Sequence, residues 1–213
     1  MNESYINDLS VVKIAITGAP GSGKTSVFQR LKANQRYFAS VGYIPEIASH
    51  LFLTLPQCKL RDENKHLLQA VIAQEQILLE STISDLLVKE NLHGVPAVVL
   101  CDRAVFDGFA YSDFAALRGY GLDLNNIPPY DLVINLRSGD IFKGTENNPF
   151  RTETPDEIST LDLKTHEVWS NPAHAKNYVE LPYYHTIEDK TAACAKVIND
   201  YLRLPLFKES SLE

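Results

Sequence analysis

The stretch VVKIAITGAPGSGKT spans residues 11–25 and decides the fold of this chain. Its first part, Val11–Thr17, is a short β-branched run that predicts a buried strand. Its second part, Gly18–Thr25, satisfies the pattern G-x-x-x-x-G-K-[ST] in full. The residues that follow, Thr25–Ala33, predict a helix. A strand, a glycine-rich turn and a helix in this order form the context in which such a turn wraps a phosphate group.

Each fixed residue of this phosphate loop has a chemical task. The glycines allow backbone conformations that turn successive N–H groups toward an anion, and the helix adds its positive N-terminal end. Lys24 supplies a mobile cation for the β- and γ-phosphates, and the Thr25 hydroxyl is a ligand for Mg²⁺. The alternative, a chance match in an ordinary turn, is disfavoured by the flanking strand and helix. We therefore expect ATP and Mg²⁺ as cofactors, with a nucleotide site made of Gly18, Ala19, Pro20, Gly21, Ser22, Gly23, Lys24, Thr25 and Ser26.

The rest of the chain alternates between strand and helix patterns. Further strands are predicted at 40–45, 95–101, 130–136 and 177–181, and helices at 66–91, 103–118, 156–170 and 187–202. This alternation predicts a three-layer α/β fold, with a parallel sheet covered by helices on both faces. We expect one domain over residues 1–213, with its core at 11–203 and a mobile lid at about 138–155.

Composition and charge narrow the class of protein. Apolar residues make up 45% of the chain, charged residues make up 22%, and the net charge is −7. The acidic balance makes nucleic acid an unlikely partner, because phosphate neutralisation needs basic residues. The three cysteines do not form a disulfide or zinc pattern, and the N-terminus lacks the layout of a signal peptide. We expect a cytoplasmic protein without a membrane segment.

The end of the third predicted strand indicates which class of phosphate-loop protein this is. In VVLCDRAV (98–105), Asp102 and Arg103 stand where a hydrolytic ATPase typically has Asp-Glu. A carboxylate followed by a fixed cation suits phosphoryl transfer to a bound acceptor, because one group serves the metal and the other neutralises phosphate. A GTPase is disfavoured, because the chain lacks an Asn/Thr-Lys-x-Asp segment.

Four segments together resemble a known family. They are GAPGSGKTS (18–26), IPE (44–46), CDRAVFDGFAY (101–111) and NPFRTE (148–153). In their order and spacing they look like the P-loop kinase family of AAA-type ATPase domains, which includes the nicotinamide riboside kinase domain. More distantly they are similar to deoxynucleoside and thymidylate kinases. The resemblance implies a P-loop NTPase fold with a five-stranded parallel sheet, Mg·ATP as donor, and a lid that closes over the phosphates.

The resemblance also assigns roles on the phosphate side of the site. Lys24 stabilises charge on the transferred phosphoryl, Thr25 and Asp102 serve the metal, and Arg103 with Arg151 clamps phosphates. The alternatives are a structural ion pair between Asp102 and Arg103, and a solvated loop arginine at position 151.

On the acceptor side, Glu46 accepts the proton of the attacking hydroxyl or holds that hydroxyl in line; a helix-terminal acid is the alternative. Asp107 lies four residues after Arg103 and can orient its guanidinium, although an exposed helix acid has the same spacing. Glu75 falls on the apolar stripe of the long helix, where the related kinases build the acceptor pocket. Glu75 and Asp107 are therefore expected at that pocket.

The sequence thus predicts an ATP-dependent phosphotransferase that acts on a small nucleoside- or nucleotide-like acceptor. The alternative is a nucleotide-dependent regulatory ATPase or switch that binds a protein partner, and a polynucleotide-end kinase is a weaker option. A homodimer is a further expectation.

Overall fold

A five-stranded sheet, parallel throughout, forms the centre of the protein. The computed structural model describes residues 11–36, 40–55, 63–90, 96–123, 126–138 and 153–209. The strands follow the order β2-β3-β1-β4-β5 across the sheet. Their bounds are β1 Val11–Thr17, β2 Val41–Ile44, β3 Ala97–Asp102, β4 Leu132–Leu136 and β5 Tyr178–Leu181. All five predicted strands are present, which confirms the predicted sheet.

Helices cover both faces of this sheet. Their bounds are α1 Lys24–Ala33, α2 Ile47–Thr54, α3 Lys65–Glu90, α4 Gly108–Tyr111, α5 Phe114–Gly119, α6 Pro155–Trp169 and α7 Ile187–Leu202. A 3₁₀ turn, Val105–Asp107, precedes α4. None of the helices in the described residues has the length and apolar composition needed to cross a bilayer.

The core lies in two layers, one on each face of the sheet. On one face, α1 and α7 contribute Phe28, Leu31 and Ile198, which pack against β1 and β4. On the other face, α3 and α6 contribute Leu87 and Trp169, among others. Every residue of β3 and β4 is buried, as expected for central parallel strands that are covered on both sides. The predicted three-layer α/β class is confirmed.

The strand order brings the functional segments to one edge. β1 lies between β3 and β4, so the chain crosses to opposite sides of the sheet after β1 and after β3. Such a reversal leaves a crevice at the carboxyl ends of the strands. The register places Asp102 beside Ile16 and Asn135 beside Thr17, so these ends face the same crevice as the phosphate loop.

Two predictions about the helices are wrong in part. The helix predicted over 103–118 is interrupted twice: Arg103 has a left-handed backbone (φ 68°) that lies outside any right-handed helix, and extended backbone at Ser112 and Asp113 separates α4 from α5. The apolar stripe predicted on the long helix comprises Leu68, Ile72, Leu79, Ile83 and Leu86. Leu68 is buried and the next three pack against the core, but Leu86 is 47% exposed. The buried face of α3 also carries the polar side chains of Gln76 and Glu80.

Candidate nucleotide and phosphoryl-transfer site

The phosphate loop adopts a conformation that only glycine allows at its turning points. Gly18, Gly21 and Gly23 have φ angles of 141°, 83° and 89°. A Cβ atom on Gly18 would also lie 2.3 Å from the carbonyl oxygen of Leu136. The loop can therefore pass close to the end of β4 only with glycine at position 18.

Helix α1 begins at Lys24 with Gly23 at its N-cap, and no side chain caps it among the described residues. The amides of its first turn are thus not satisfied by a cap, and the positive end of the helix is open to an anion. Thr25 and Ser26, in this first turn, have exposed side chains. This geometry suits the phosphates of a nucleotide.

Lys24 is folded back onto its own loop. Its Nζ donates to the Ala19 carbonyl at 2.8 Å and to the Ser22 hydroxyl at 3.3 Å, and its side chain is buried. Burial, followed by repulsion from Arg103, lowers the pKa of Lys24 to about 7. The carboxylates of Glu46, Asp102 and Asp107 act in the opposite direction, but burial outweighs them.

A second lysine, on α7, donates a hydrogen bond to the phosphate loop. Lys190, on α7, is 6% exposed and donates from Nζ to the Ser22 carbonyl at 2.6 Å. Burial lowers the pKa of Lys190. The sequence analysis missed this residue, because it lies 168 positions from its partner in the chain.

Asp102 is a buried carboxylate at the end of the central strand β3. It is 1% exposed, and neither of its oxygens accepts a hydrogen bond from the described residues. Burial raises the pKa of Asp102, and the ammonium of Lys24 opposes that rise. The hydroxyl of Thr25 also acts to lower this pKa and so lies beside the carboxylate, although without the geometry of a hydrogen bond. A hydroxyl and a carboxylate are hard oxygen donors, and this pair fits Mg²⁺.

Arg103 and Glu46 form an ion pair across the ends of β3 and β2. Nε of Arg103 lies 2.7 Å from Oε1 of Glu46, and Ser49 donates to the other oxygen of that carboxylate. Burial works against ionisation, but the guanidinium of Arg103 and the ammonium of Lys24 hold the pKa of Glu46 at about 2. Both predicted residues therefore lie in the crevice, in contact with each other.

Asp107 links the end of β1 to the turn that follows β3. One of its oxygens accepts from the hydroxyl of Thr17 and lies 3.5 Å from Nη1 of Arg103. The other accepts from the backbone N–H of Ala104 at 2.7 Å. Asp107 is 5% exposed, so it orients the guanidinium of Arg103, as its spacing predicts, and it also fixes the turn.

A polar cluster lies on the other side of the loop, beyond β4. Nε of Arg137 lies 3.0 Å from Oδ2 of Asp162, and its Nη1 lies 3.6 Å from Glu180. His166 contacts the same oxygen of Glu180 at 2.8 Å. Burial raises the pKa of Asp162. Arg137 is thereby held in place beside the first residues of the predicted lid.

The predicted site also includes Glu75 and Arg151. Glu75 has an exposed side chain on α3, and its place at an acceptor pocket stays a prediction. Arg151 and most of the predicted lid, residues 139–152, lie outside the described residues.

Glu80 was missed by the sequence analysis. It lies on the buried face of α3, four residues after Gln76, beneath the turn that carries Arg103. A Gln/Glu pair at this spacing on a face that also carries Ala73 and Leu87 is the sequence signal that could have found it.

Residues 13–190 match the family described as "AAA domain", which covers more than half of the chain. This chain belongs to the AAA domain family. Among curated proteins it is similar to the cytidylate kinases of two Saccharolobus islandicus strains, L.S.2.15 / Lassen #1 and M.14.25 / Kamchatka #1. In each case the identity is 27%, over 60% of this chain and 84% of the relative.

Among solved structures, this AAA domain protein is similar to deoxyadenosine kinase from M. mycoides with dCMP and dCDP bound. The TM-score is 0.59 at 14% identity, over 89% of this chain and 100% of the other. This likeness supports the fold. The family match and the cytidylate kinase relatives confirm the prediction of a P-loop kinase-like family.

Proposed function

We propose that this protein is a phosphotransferase that uses Mg·ATP to phosphorylate a hydroxyl group of a small nucleoside- or nucleotide-like acceptor. The observation that carries the proposal is the convergence of five charged side chains at one end of the sheet. Arg103, Glu46, Asp102 and Asp107 all act electrostatically on Lys24. The cytidylate kinase relatives support the same reaction class.

The donor side follows from the loop. The amides at the start of α1 bind the phosphates, and Lys24 moves from the Ala19 carbonyl to the transferred group as charge develops there. Asp102 and Thr25 would hold Mg²⁺, which would neutralise charge on the phosphates. The unpaired oxygens of Asp102 thereby gain a cationic partner.

The acceptor side follows from the ion pair. The acceptor oxygen forms a bond to the γ-phosphorus, the bond from that phosphorus to the bridging oxygen breaks, and ADP leaves. Glu46 accepts the hydroxyl proton. Its pKa of about 2 makes it a weak base while Arg103 and Lys24 are close. Both cations shift toward the phosphates of bound ATP, so the basicity of Glu46 rises when it is needed. Phosphoryl transfer demands little from a base, since positioning and electrostatics lower most of the barrier.

The test is ATP consumption with Mg²⁺ across a panel of nucleosides, nucleoside monophosphates and related metabolites. We expect at least one acceptor to raise turnover well above hydrolysis by water. Glu46→Gln should then lower kcat on the order of 10²-fold with the affinity for ATP retained. Asp85→Asn, at an exposed position of α3, is the matched control and should behave as the unmodified protein.

A nucleotide-dependent switch that binds a protein partner is the second candidate. It predicts slow hydrolysis that no small acceptor accelerates. A panel in which every acceptor leaves turnover at the water-only rate would replace the kinase proposal with this one.

A further inference from the structure

The turn that carries Arg103 is strained, so contacts with the surrounding residues must stabilise it. Arg103 has a φ of 68°, in a region that residues with a Cβ rarely adopt. Its backbone N–H donates to the Ile16 carbonyl at 3.0 Å, which fixes the start of the turn to β1. The Ala104 N–H is held by Asp107. The carbonyl of Arg103 and the N–H of Val105 point the other way, toward the interior.

Both inward-facing groups are bound by side chains that lead to one carboxylate. The N–H of Val105 donates to the Tyr130 hydroxyl at 3.2 Å, and that hydroxyl donates to Oε1 of Glu80. The amide of Gln76 donates to the same oxygen at 2.8 Å and lies 3.5 Å from the Arg103 carbonyl. Glu80 is thus connected to the turn through two side chains, those of Tyr130 and Gln76.

The carboxylate is set deep in the core. Glu80 is 2% exposed, and Lys13 on β1 balances its charge at 3.2 Å. Burial, followed by the charge of Glu80, raises the pKa of Tyr130 well above its ordinary value, so the hydroxyl keeps its proton. With its only proton donated to Glu80, this hydroxyl must act as an acceptor toward the turn. The hydrogen bonds that link Val105, Tyr130 and Glu80 therefore have a fixed donor-to-acceptor direction, from Val105 to Tyr130 and from Tyr130 to Glu80.

We infer that Glu80 is a positioning residue that holds the Asp102–Asp107 turn from inside the protein, through Tyr130 and Gln76, and so sets the direction of the Arg103 side chain. The inference rests on the proposed phosphotransfer. A buried network whose members are all paired is rigid, and loss of one member leaves a buried group unpaired. Disruption of this network should therefore lower kcat, because Arg103 and Asp102 lie at the transferred phosphoryl in the proposed reaction. It should leave ATP binding by the phosphate loop intact.

The decisive variant is Tyr130→Phe, which keeps the ring and removes the hydroxyl. Hydrogen exchange at the Val105 amide, measured in the full chain without ligand, should become about tenfold faster, while the Ile16 amide in β1 stays protected. With the acceptor found above, kcat should fall about tenfold and the KM for ATP should remain unchanged. Glu80→Gln, which keeps an acceptor oxygen, should retain most of the kcat that Glu80→Ala loses.

A control separates positioning from stability. Ile198→Ala removes apolar contacts in the core on the opposite face of the sheet and touches none of these polar groups. It should lower the melting temperature at least as much as Tyr130→Phe while kcat is retained. Equal kcat losses in the two variants, or Val105 exchange that is no faster in Tyr130→Phe than in Ile198→Ala, would overturn the inference. The exchange measurement needs no acceptor, so it decides whether the network holds the turn even where the acceptor panel fails.

Discussion

The pH dependence of nucleotide binding should report directly on Lys24. In the free protein, burial and the nearby Arg103 hold the pKa of Lys24 at about 7, so half of the molecules carry a neutral amine at that pH. Phosphate binding needs the charged form. Since only the protonated fraction is competent, the apparent Kd for Mg·ATP equals the intrinsic value divided by that fraction. The protonated fraction falls about tenfold between pH 6 and pH 8, and the apparent Kd should rise about tenfold over this range.

Isothermal titration calorimetry in buffers of different ionisation enthalpy measures this effect. At pH 7 the protein should take up about half a proton per nucleotide through Lys24, because the bound anion raises the pKa of this ammonium. The matched variant is Lys24→Arg, whose guanidinium stays charged throughout the range. The ligand titrates identically in both proteins, so the difference between the two profiles isolates Lys24. Coincident profiles for the two proteins, or an affinity of the unmodified protein that increases with pH, would contradict the lowered pKa of Lys24.

Three further outcomes follow from single contacts. Asp102→Asn should raise the free energy of unfolding of the free protein by about 1–3 kcal/mol, because it removes a buried unpaired charge. It should also weaken the Mg²⁺ dependence of turnover more than it weakens nucleotide affinity. A lower melting temperature or an unchanged metal titration would contradict these expectations. Gly18→Ala should abolish ATP binding, checked by calorimetry, because its Cβ would lie 2.3 Å from the Leu136 carbonyl oxygen. Lys190→Met should weaken ATP binding about tenfold in the same assay, since the Ser22 carbonyl loses a charged donor, and unaltered affinity would remove Lys190 from this role.

Much of the fold follows from local patterns. The run Val11–Thr17, the buried strand Ala97–Asp102 and the amphipathic segment Ile187–Leu202 have periodicities and end signals that depend only on neighbouring residues. The turn after Asp102 does not follow from them. Residues 103–118 have a helical apolar spacing, and the left-handed backbone of Arg103 is stabilised by groups from β1 and α3 that are distant in sequence.

The candidate site likewise contains residues that local sequence could predict and residues that it could not. The phosphate loop could be predicted because its glycines, Lys24 and Thr25 are contiguous and each has a fixed task. Placing Glu46 and Asp102 in one crevice required the strand order, which only the structure gives. Glu75 and Gln76 show the remaining difficulty: one residue of register on a helix separates an exposed side chain from a buried one, and apolar spacing alone does not fix that register.

Contiguous residues specify part of the site's chemistry: a phosphate-binding loop, a cation inside it, and an Asp-Arg pair after a buried strand. The electrostatic state of those groups depends on the tertiary structure. Lys24 has a lowered pKa, Glu46 is ionised beside Arg103, and Asp102 is buried without a hydrogen bond from any described residue. The physical reason is that desolvation and Coulomb interactions depend on distances through space between segments far apart in the chain.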